Sequence, residues 1–293
     1  MAWANLTDVR CGYEVLGRGD PLLLVPGLGV TCNVWDPALP ELAAHFSLIL
    51  VDNRGIGRSR PRRRAESLRD YSADLVELMD HLQLERAHVL GLSLGGMIAR
   101  RFAVDHPSRV NRLVLVSCTD RVTPYLEQVM RLLGGVLRGL GPKALAQVIE
   151  TLGTSPEFFD ANTALTEQRV REKTCVADAK TIAGQLACLA AEVRSVDARE
   201  SVSAPTLAIS GQYDPLIPSC YVRAMASRIP GSRFIQINGA GHNPLIECPD
   251  RVVPPIVDFL TTANTSTALG GRSQRPHPSR FIEEGAEHFA ADG

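Results

Sequence analysis

Hydrophobic positions along the chain form two alternating kinds of run. Short apolar runs without helical spacing occupy residues 9–16, 22–25, 47–51, 87–90 and 112–116. Longer runs with apolar residues three and four apart occupy residues 68–82 and 94–104. Strands alternating with helices predict an α/β domain with a mostly parallel sheet covered on both faces. Gly17-Arg18-Gly19-Asp20-Pro21 separates the first two runs, and its turn chemistry predicts an N-terminal hairpin feeding the sheet. The alternation stops after Ser117-Cys118-Thr119-Asp120. It resumes with a strand-like run over residues 204–210, a helix over 220–229, a strand over 233–237 and a helix over 252–261.

The interruption has helical character and no convincing strand. Residues 129–140 and 182–193 carry helix-spaced apolar positions, and Gly134, Gly135 and Gly139 predict several short helices rather than one long one. The chain therefore divides into a core of residues 1–119 and 204–261, a helical cap of residues 120–203 inserted between two core strands, and a tail of residues 262–293. The tail is rich in Thr, Ser, Gly, Pro, His and charge, a composition expected to stay disordered or loosely attached.

Composition narrows the function classes. With 45% hydrophobic and 22% charged residues over 293 positions and a formal net charge of −1, the chain is of ordinary globular make-up, and neither a nucleic-acid partner nor a membrane partner is expected. The seven cysteines are scattered without a metal-like or C-x-x-C spacing and read as reduced thiols. No basic segment followed by an apolar run opens the chain, so a cytoplasmic location is the expectation. Nothing in the sequence calls for a cofactor or a metal.

The strongest chemical signal is Gly91-Leu92-Ser93-Leu94-Gly95-Gly96, set directly after one predicted strand and before one predicted helix. A G-x-S-x-G in that setting forms a sharp strand-to-helix elbow that lifts the serine above the sheet edge. A serine hydroxyl needs a base within hydrogen-bond reach and a third group to orient that base. In the chain order expected for this elbow, serine then acid then histidine, Asp214 and His242 are the candidates. Each follows a predicted parallel strand, so both fall on the rim that carries Ser93. Asp120, also just past a strand, is the alternative acid. His45, His81, His88, His106, His277 and His288 have no comparable setting and read as structural or surface residues. Oxyanion stabilisation requires two N–H donors, assigned to Leu94 after the serine and to Leu28 in the turn Pro26-Gly27-Leu28-Gly29. The segment Asp52-Asn53-Arg54-Gly55-Ile56-Gly57-Arg58-Ser59 lacks the third glycine and the following acid of a dinucleotide loop. Arg58, Arg60, Arg62, Arg63 and Arg64 could attract an anion, but a solvated loop face is the plainer reading.

Together these residues resemble the α/β-hydrolase superfamily over roughly residues 11–261. The resemblance rests on the turn at Pro26 to Gly29, the loop from Asp52 to Ser59, the elbow from Gly91 to Gly96, and Gly239-x-Gly241-His242-x4-Glu247-x-Pro249. Within the superfamily the chain looks most like the cap-bearing serine esterases and lactonases, including 3-oxoadipate enol-lactonases and small carboxylesterases. The resemblance implies cleavage of a small-molecule carboxylic ester or lactone through an acyl-enzyme, with Ser93, Asp214 and His242 catalytic and Leu28 and Leu94 as oxyanion donors. Two departures stand out. Pro26 replaces the histidine that usually opens the oxyanion turn, so something else must hold that turn. Asn243 replaces the tryptophan that tends to follow the catalytic histidine in carbon–carbon bond hydrolases, which lowers that alternative. A small-molecule receptor on the same fold, with little turnover, is the alternative from another class.

Overall fold

The computed structural model describes residues 2–121, 123–192 and 201–262; the expectation for the tail from residue 263 onward lies outside them. The central sheet has the order β1-β2-β4-β3-β6-β7-β8-β9, with β5 paired to β2. The strands are β1 (Ala2–Asn5), β2 (Val9–Gly17), β3 (Asp20–Val25), β4 (Phe46–Val51), β5 (Arg60–Pro61), β6 (Ala87–Leu92), β7 (Val110–Val116), β8 (Thr206–Gly211) and β9 (Arg233–Ile237). From β4 through β9 every neighbouring pair is parallel, while β1, β2 and β5 pair antiparallel. This is the α/β-hydrolase fold.

Strands buried on both faces must be apolar throughout, which is why these runs lack polar alternation. Leu22 and Leu24 of β3 point into one core with Leu90, Leu92, Val114, Val116, Leu207 and Ile209. Leu23 and Val25 point into the opposite core with Val89, Leu113, Leu115 and Ala208. The first core is closed by α1 (Leu39–His45) and α10 (Pro249–Thr261), through Leu42, Ile256 and Phe259. The second is closed by α2 (Leu68–His81), α3 (Leu94–Asp105) and α8 (Ser219–Ser227), through Leu75, Phe102 and Met225.

The predicted N-terminal hairpin does not form. β4 lies between β2 and β3, antiparallel to the first and parallel to the second. Gly17 and Gly19, at φ +76° and +117°, turn the chain tightly over the entry to β4; a Cβ on Gly17 would lie 2.4 Å from the carbonyl oxygen of Phe46. The turn is local, as its residues predict, but it opens a slot that the later strand fills.

Between β7 and β8 the described residues form α4 (Pro124–Gly153), α5 (Pro156–Ala161), α6 (Thr163–Cys175) and α7 (Ala179–Glu192). The helix break expected at Gly134, Gly135 and Gly139 falls instead at Gly141, where φ is 85°, and at Pro142, which can donate no backbone hydrogen bond. A glycine inside a helix costs about 0.5–1 kcal/mol relative to alanine, which the packing of Leu133, Leu137 and Leu145 against Ile182 and Leu186 outweighs. Helix α9 (Pro244–Glu247) links the histidine loop to α10.

Of the histidines read as structural, His88 on β6 is buried beside Phe46, with no partner for Nδ1 among the described residues. Burial lowers its pKa to about 4, assisted by the Arg112 cation and opposed by Asp20. With the folded pKa below the unfolded value of about 6.5, the unfolded chain binds more protons between these limits. The neutral imidazole's contribution is therefore complete above the unfolded value and is lost as pH falls toward the folded one. Urea unfolding at pH values across this window should show a loss on the order of 3 kcal/mol at most from this group. His88→Gln should flatten that part of the profile, and an unchanged slope would refute the assignment.

Candidate active site

The site is built where β6 meets α3. Ser93 has φ 54° and ψ −119°, a left-handed conformation that L-residues avoid. Three glycines make this crossing possible. A Cβ on Gly91 would sit 2.4 Å from the oxygen of Gly95, one on Gly95 would sit 2.0 Å from the oxygen of Val25, and one on Gly96 would sit 2.7 Å from Cys118 Sγ. The Ser93 N–H donates to the Val116 oxygen at 2.8 Å, which ties the elbow to the neighbouring strand.

Asp214 and His242 lie on the loops after β8 and β9, and the fold brings both to Ser93. His242 Nε2 is 3.0 Å from Ser93 Oγ, and His242 Nδ1 is 2.7 Å from Asp214 Oδ2. The Asp214 side chain is fully buried, and its Oδ1 accepts from the N–H groups of Leu216 and Ile217, each at 2.9 Å. One carboxylate oxygen is thus held by backbone while the other faces the imidazole. Asp120 is not brought to the histidine; its carboxylate pairs with Arg228, from Nε at 2.9 Å and from Nη2.

The histidine loop rests on the helical insertion. The His242 N–H donates to the Gly153 oxygen at 2.7 Å. Glu247 accepts from Gly241 N and from Ser155 N, each at 3.0 Å, so one carboxylate joins the loop to the residues after α4. Gly241 must be small, because a Cβ there would lie 2.6 Å from the Gly153 oxygen.

The turn carrying Leu28 abuts the elbow: a Cβ on Gly27 would be 3.5 Å from Ser93 Cβ. Leu28 lines one cavity with Ser93 and His242. Among the described residues, no acceptor engages the N–H of Leu28 or of Leu94. In place of the missing histidine, two amides hold this turn. Asn53 Nδ2 donates to the Pro26 oxygen, and Gln185 Oε1 of α7 accepts from Gly29 N, both at 2.9 Å. Sequence reasoning missed both. The Asn53 loop is anchored in turn by Asp52, which accepts from Cys32 N and Arg58, and by Arg54, which grips buried Asp74 with two bonds of 2.7 and 2.6 Å. Much of the arginine cluster is likewise engaged: Arg58 also reaches Glu14, Arg63 pairs with Asp8 and Asp70, and Arg62 donates to the Leu6 and Thr7 oxygens.

The cavity walls are mostly apolar, with Leu126, Val129, Leu133, Ile149 and Leu186 among them. One charged cluster interrupts them. Glu150 of α4 is paired with Lys173 and, at 3.1 Å, with Arg169 Nε, the two cations lying one turn apart on α6. Burial alone would raise the Glu150 carboxyl, but Lys173 and Arg169 hold it below the usual carboxylate range. Burial lowers the Lys173 ammonium despite Glu150, and Arg169 adds to that lowering. The one-turn spacing of the two cations was visible in the sequence, but their pairing with a glutamate on another helix was not.

All seven cysteine thiols are free. No cluster of three or more metal-binding side chains occurs among the described residues, and none of their helices is long and apolar enough to cross a membrane.

The family model of the alpha/beta hydrolase fold matches residues 20–249. The chain belongs to the α/β-hydrolase fold family. Similar α/β-hydrolases include a protein of Azorhizobium caulinodans assigned as the carbamate hydrolase RutD, 28% identical over 83% of this chain and 91% of that one. The pimeloyl-[acyl-carrier protein] methyl ester esterase of Aeromonas hydrophila is 30% identical over 84% of this chain and 98% of its own. Among solved structures, the enol-lactonase from Burkholderia xenovorans LB400 superposes with a TM-score of 0.80 at 26% identity, covering 89% of this chain and all of that one.

The elbow's steric demand gives a direct test. Gly95→Ala places its methyl group against two backbone carbonyls, which cannot move as a side-chain end could. We expect a loss of more than about 1–3 kcal/mol, the usual range for overpacking, read as a lower melting temperature or loss of soluble protein. A variant as stable as the parent would show that α3 can retreat.

Proposed function

We propose that the chain is a serine hydrolase that cleaves a small-molecule carboxylic ester or lactone through an acyl-enzyme. The observation that carries this reading is His242, which spans Ser93 Oγ and the buried Asp214 carboxylate in one unbroken line. Carbamates, methyl esters and enol-lactones, named for the three similar proteins, share a carbonyl carbon bonded to a heteroatom leaving group. That chemistry is what an activated serine opposite an oxyanion site performs.

In the proposed mechanism Asp214 accepts a hydrogen bond from Nδ1–H of His242, which leaves Nε2 to accept from the Ser93 hydroxyl. Ser93 Oγ attacks the carbonyl carbon as its proton passes to Nε2. The resulting oxyanion is held by the N–H groups of Leu28 and Leu94, the latter at the positive end of α3. Collapse breaks the bond to the leaving oxygen, which takes the proton from His242. Water then attacks the acyl-enzyme with His242 as base, and the acid departs as Ser93 regains its proton. The helices from Pro124 to Glu192 act as a cap that shapes the acyl and alcohol pockets.

An organophosphonate should label Ser93 rapidly and stoichiometrically by intact-mass analysis, and Ser93→Ala should take up none. No labelling of the folded parent would instead favour a receptor with an inactive serine. A panel of esters, lactones and vinylogous diketones would then place the substrate, with faster turnover of the diketones pointing to carbon–carbon cleavage.

The acid can be tested by exchange. Asp214→Asn should keep the fold but present the wrong imidazole tautomer, lowering turnover by about 10⁴-fold. Asp120→Asn, which removes only the charge facing Arg228, should stay within about tenfold of the parent. Circular dichroism must show native folding for both, and the reverse ranking would overturn the assignment of Asp214.

A further inference from the structure

The loop that carries Asp214 is held by the insertion as well as by the sheet. Pro215 follows Asp214 directly, and its carbonyl oxygen accepts from the Tyr125 hydroxyl at 2.6 Å. Tyr125 stands in the first turn of α4, 90 residues away in sequence. The next residue of the loop, Leu216, donates its N–H to Asp214 Oδ1 at 2.9 Å. The Pro215 carbonyl and the Leu216 N–H belong to one trans peptide group, which is planar and holds its acceptor and its donor on opposite sides. A single rigid unit therefore has the Tyr125 phenol bonded at one end and the Asp214 carboxylate at the other. Asp214 Oδ2 is in turn 2.7 Å from His242 Nδ1.

Fixing the carbonyl fixes where the N–H points. Without the phenol, only water restrains that side of the peptide plane, and rotation of the plane swings the N–H off Oδ1 and weakens the bond. Donation to the carbonyl also polarises the peptide and strengthens its N–H as a donor, since hydrogen bonds in a chain reinforce one another. The far end of the same helix meets the partner loop: the oxygen of Gly153, its last residue, accepts from His242 N at 2.7 Å. Helix α4 thus reaches both of the loops whose side chains make the Asp214–His242 bond. The plainer role for Tyr125 is packing, because its ring centroid lies 6.3 Å from that of Tyr221 on α8. That contact needs a ring and no hydroxyl, so the two roles separate at one atom.

We propose that Tyr125 is a positioning residue for the triad acid: it aligns Asp214 on His242 through the Pro215–Leu216 peptide, and α4 braces the acid loop at its start and the histidine loop at its end. The effect on turnover rests on the serine-hydrolase reading; the alignment of Asp214 on His242 does not.

Tyr125→Phe in the full-length protein removes the hydroxyl and keeps the ring. Tyr125 is 44% exposed, so the hydroxyl adds little to stability and the variant should fold, which circular dichroism checks. With para-nitrophenyl acetate as the probe, kcat should fall about three- to tenfold, the scale of one net hydrogen bond, while KM stays within about twofold. The far-downfield proton resonance of His242 Nδ1–H, assigned by its loss in His242→Gln, should move upfield or broaden, because its carboxylate acceptor is less well placed. Installing para-aminophenylalanine at residue 125 returns an N–H donor at the same reach and should restore both readouts. A resonance unmoved by Tyr125→Phe overturns the proposal, as does a kcat loss below about threefold in a parent that turns the probe over. A loss that para-aminophenylalanine fails to restore also overturns it, since the missing donor would not be the cause. If the parent neither hydrolyses the probe nor takes up an organophosphonate, while the resonance moves in Tyr125→Phe and returns with the amine, the hydrolase reading falls and the alignment stands.

Discussion

The site depends on how closely α3 can approach the sheet. Backbone rather than side chains sets that distance, since the carbonyls of Val25 and Pro26 stand where a Cβ of residue 95 would project. The close crossing also forces Ser93 into a conformation that costs on the order of 1–3 kcal/mol. The strain persists because α3 is anchored along its length: Leu94, Ile98, Ala99, Phe102 and Ala103 are all fully buried. Each large apolar side chain among them contributes about 1.5–3 kcal/mol by burial, so the anchoring exceeds the strain severalfold. The same crossing leaves the first N–H groups of α3 without intrahelical acceptors, directly beside the serine. The strained position of Ser93 and the N–H groups beside it are thus two consequences of one packing distance.

The second constraint couples the histidine to the insertion. His242 could be delivered by the β9 loop alone, but its N–H is satisfied by Gly153, the last residue of α4. Glu247 completes the junction by bridging Gly241 and Ser155. Gln185 of α7 likewise holds the turn that carries Leu28. The insertion therefore touches the histidine loop and the Pro26 turn at separate points while supplying about half of the apolar cavity lining. Displacing these helices would alter the geometry of the chemical groups as well as the shape of the pocket.

What could be read from the sequence was whatever depends on local backbone. The elbow at Ser93 was legible because its glycines answer steric demands within a few residues, and the parallel strands because their apolar runs admit no polar face. Asp214 and His242 were legible through chain order and their position after strands. The slot between β2 and β3 was not, since Gly17 and Gly19 specify a turn but say nothing of which strand will fill the space beside it. The misplaced helix break has a similar cause. Gly134, Gly135 and Gly139 are weak breakers that packing overrides, whereas Gly141 followed by Pro142 removes both the helical conformation and a donor. Asn53 and Gln185 were invisible as supports of the Pro26 turn because each reaches it across more than one element.

The distribution of charge around the cavity separates the work of the sheet from that of the insertion. On the sheet side, Asp214 is matched by backbone donors and one imidazole, while Arg54 pairs with Asp74, and Arg58 with Asp52 and Glu14, outside the cavity lining. That side is saturated and can be rigid, as a group that must hold a proton within hydrogen-bond distance requires. On the insertion side the Glu150 carboxylate meets two cations, Arg169 and Lys173, and all three line the cavity. The Ser93, Asp214 and His242 side chains are thus placed by loops of the sheet, while the charged part of the cavity wall comes from Glu150, Arg169 and Lys173 of the insertion.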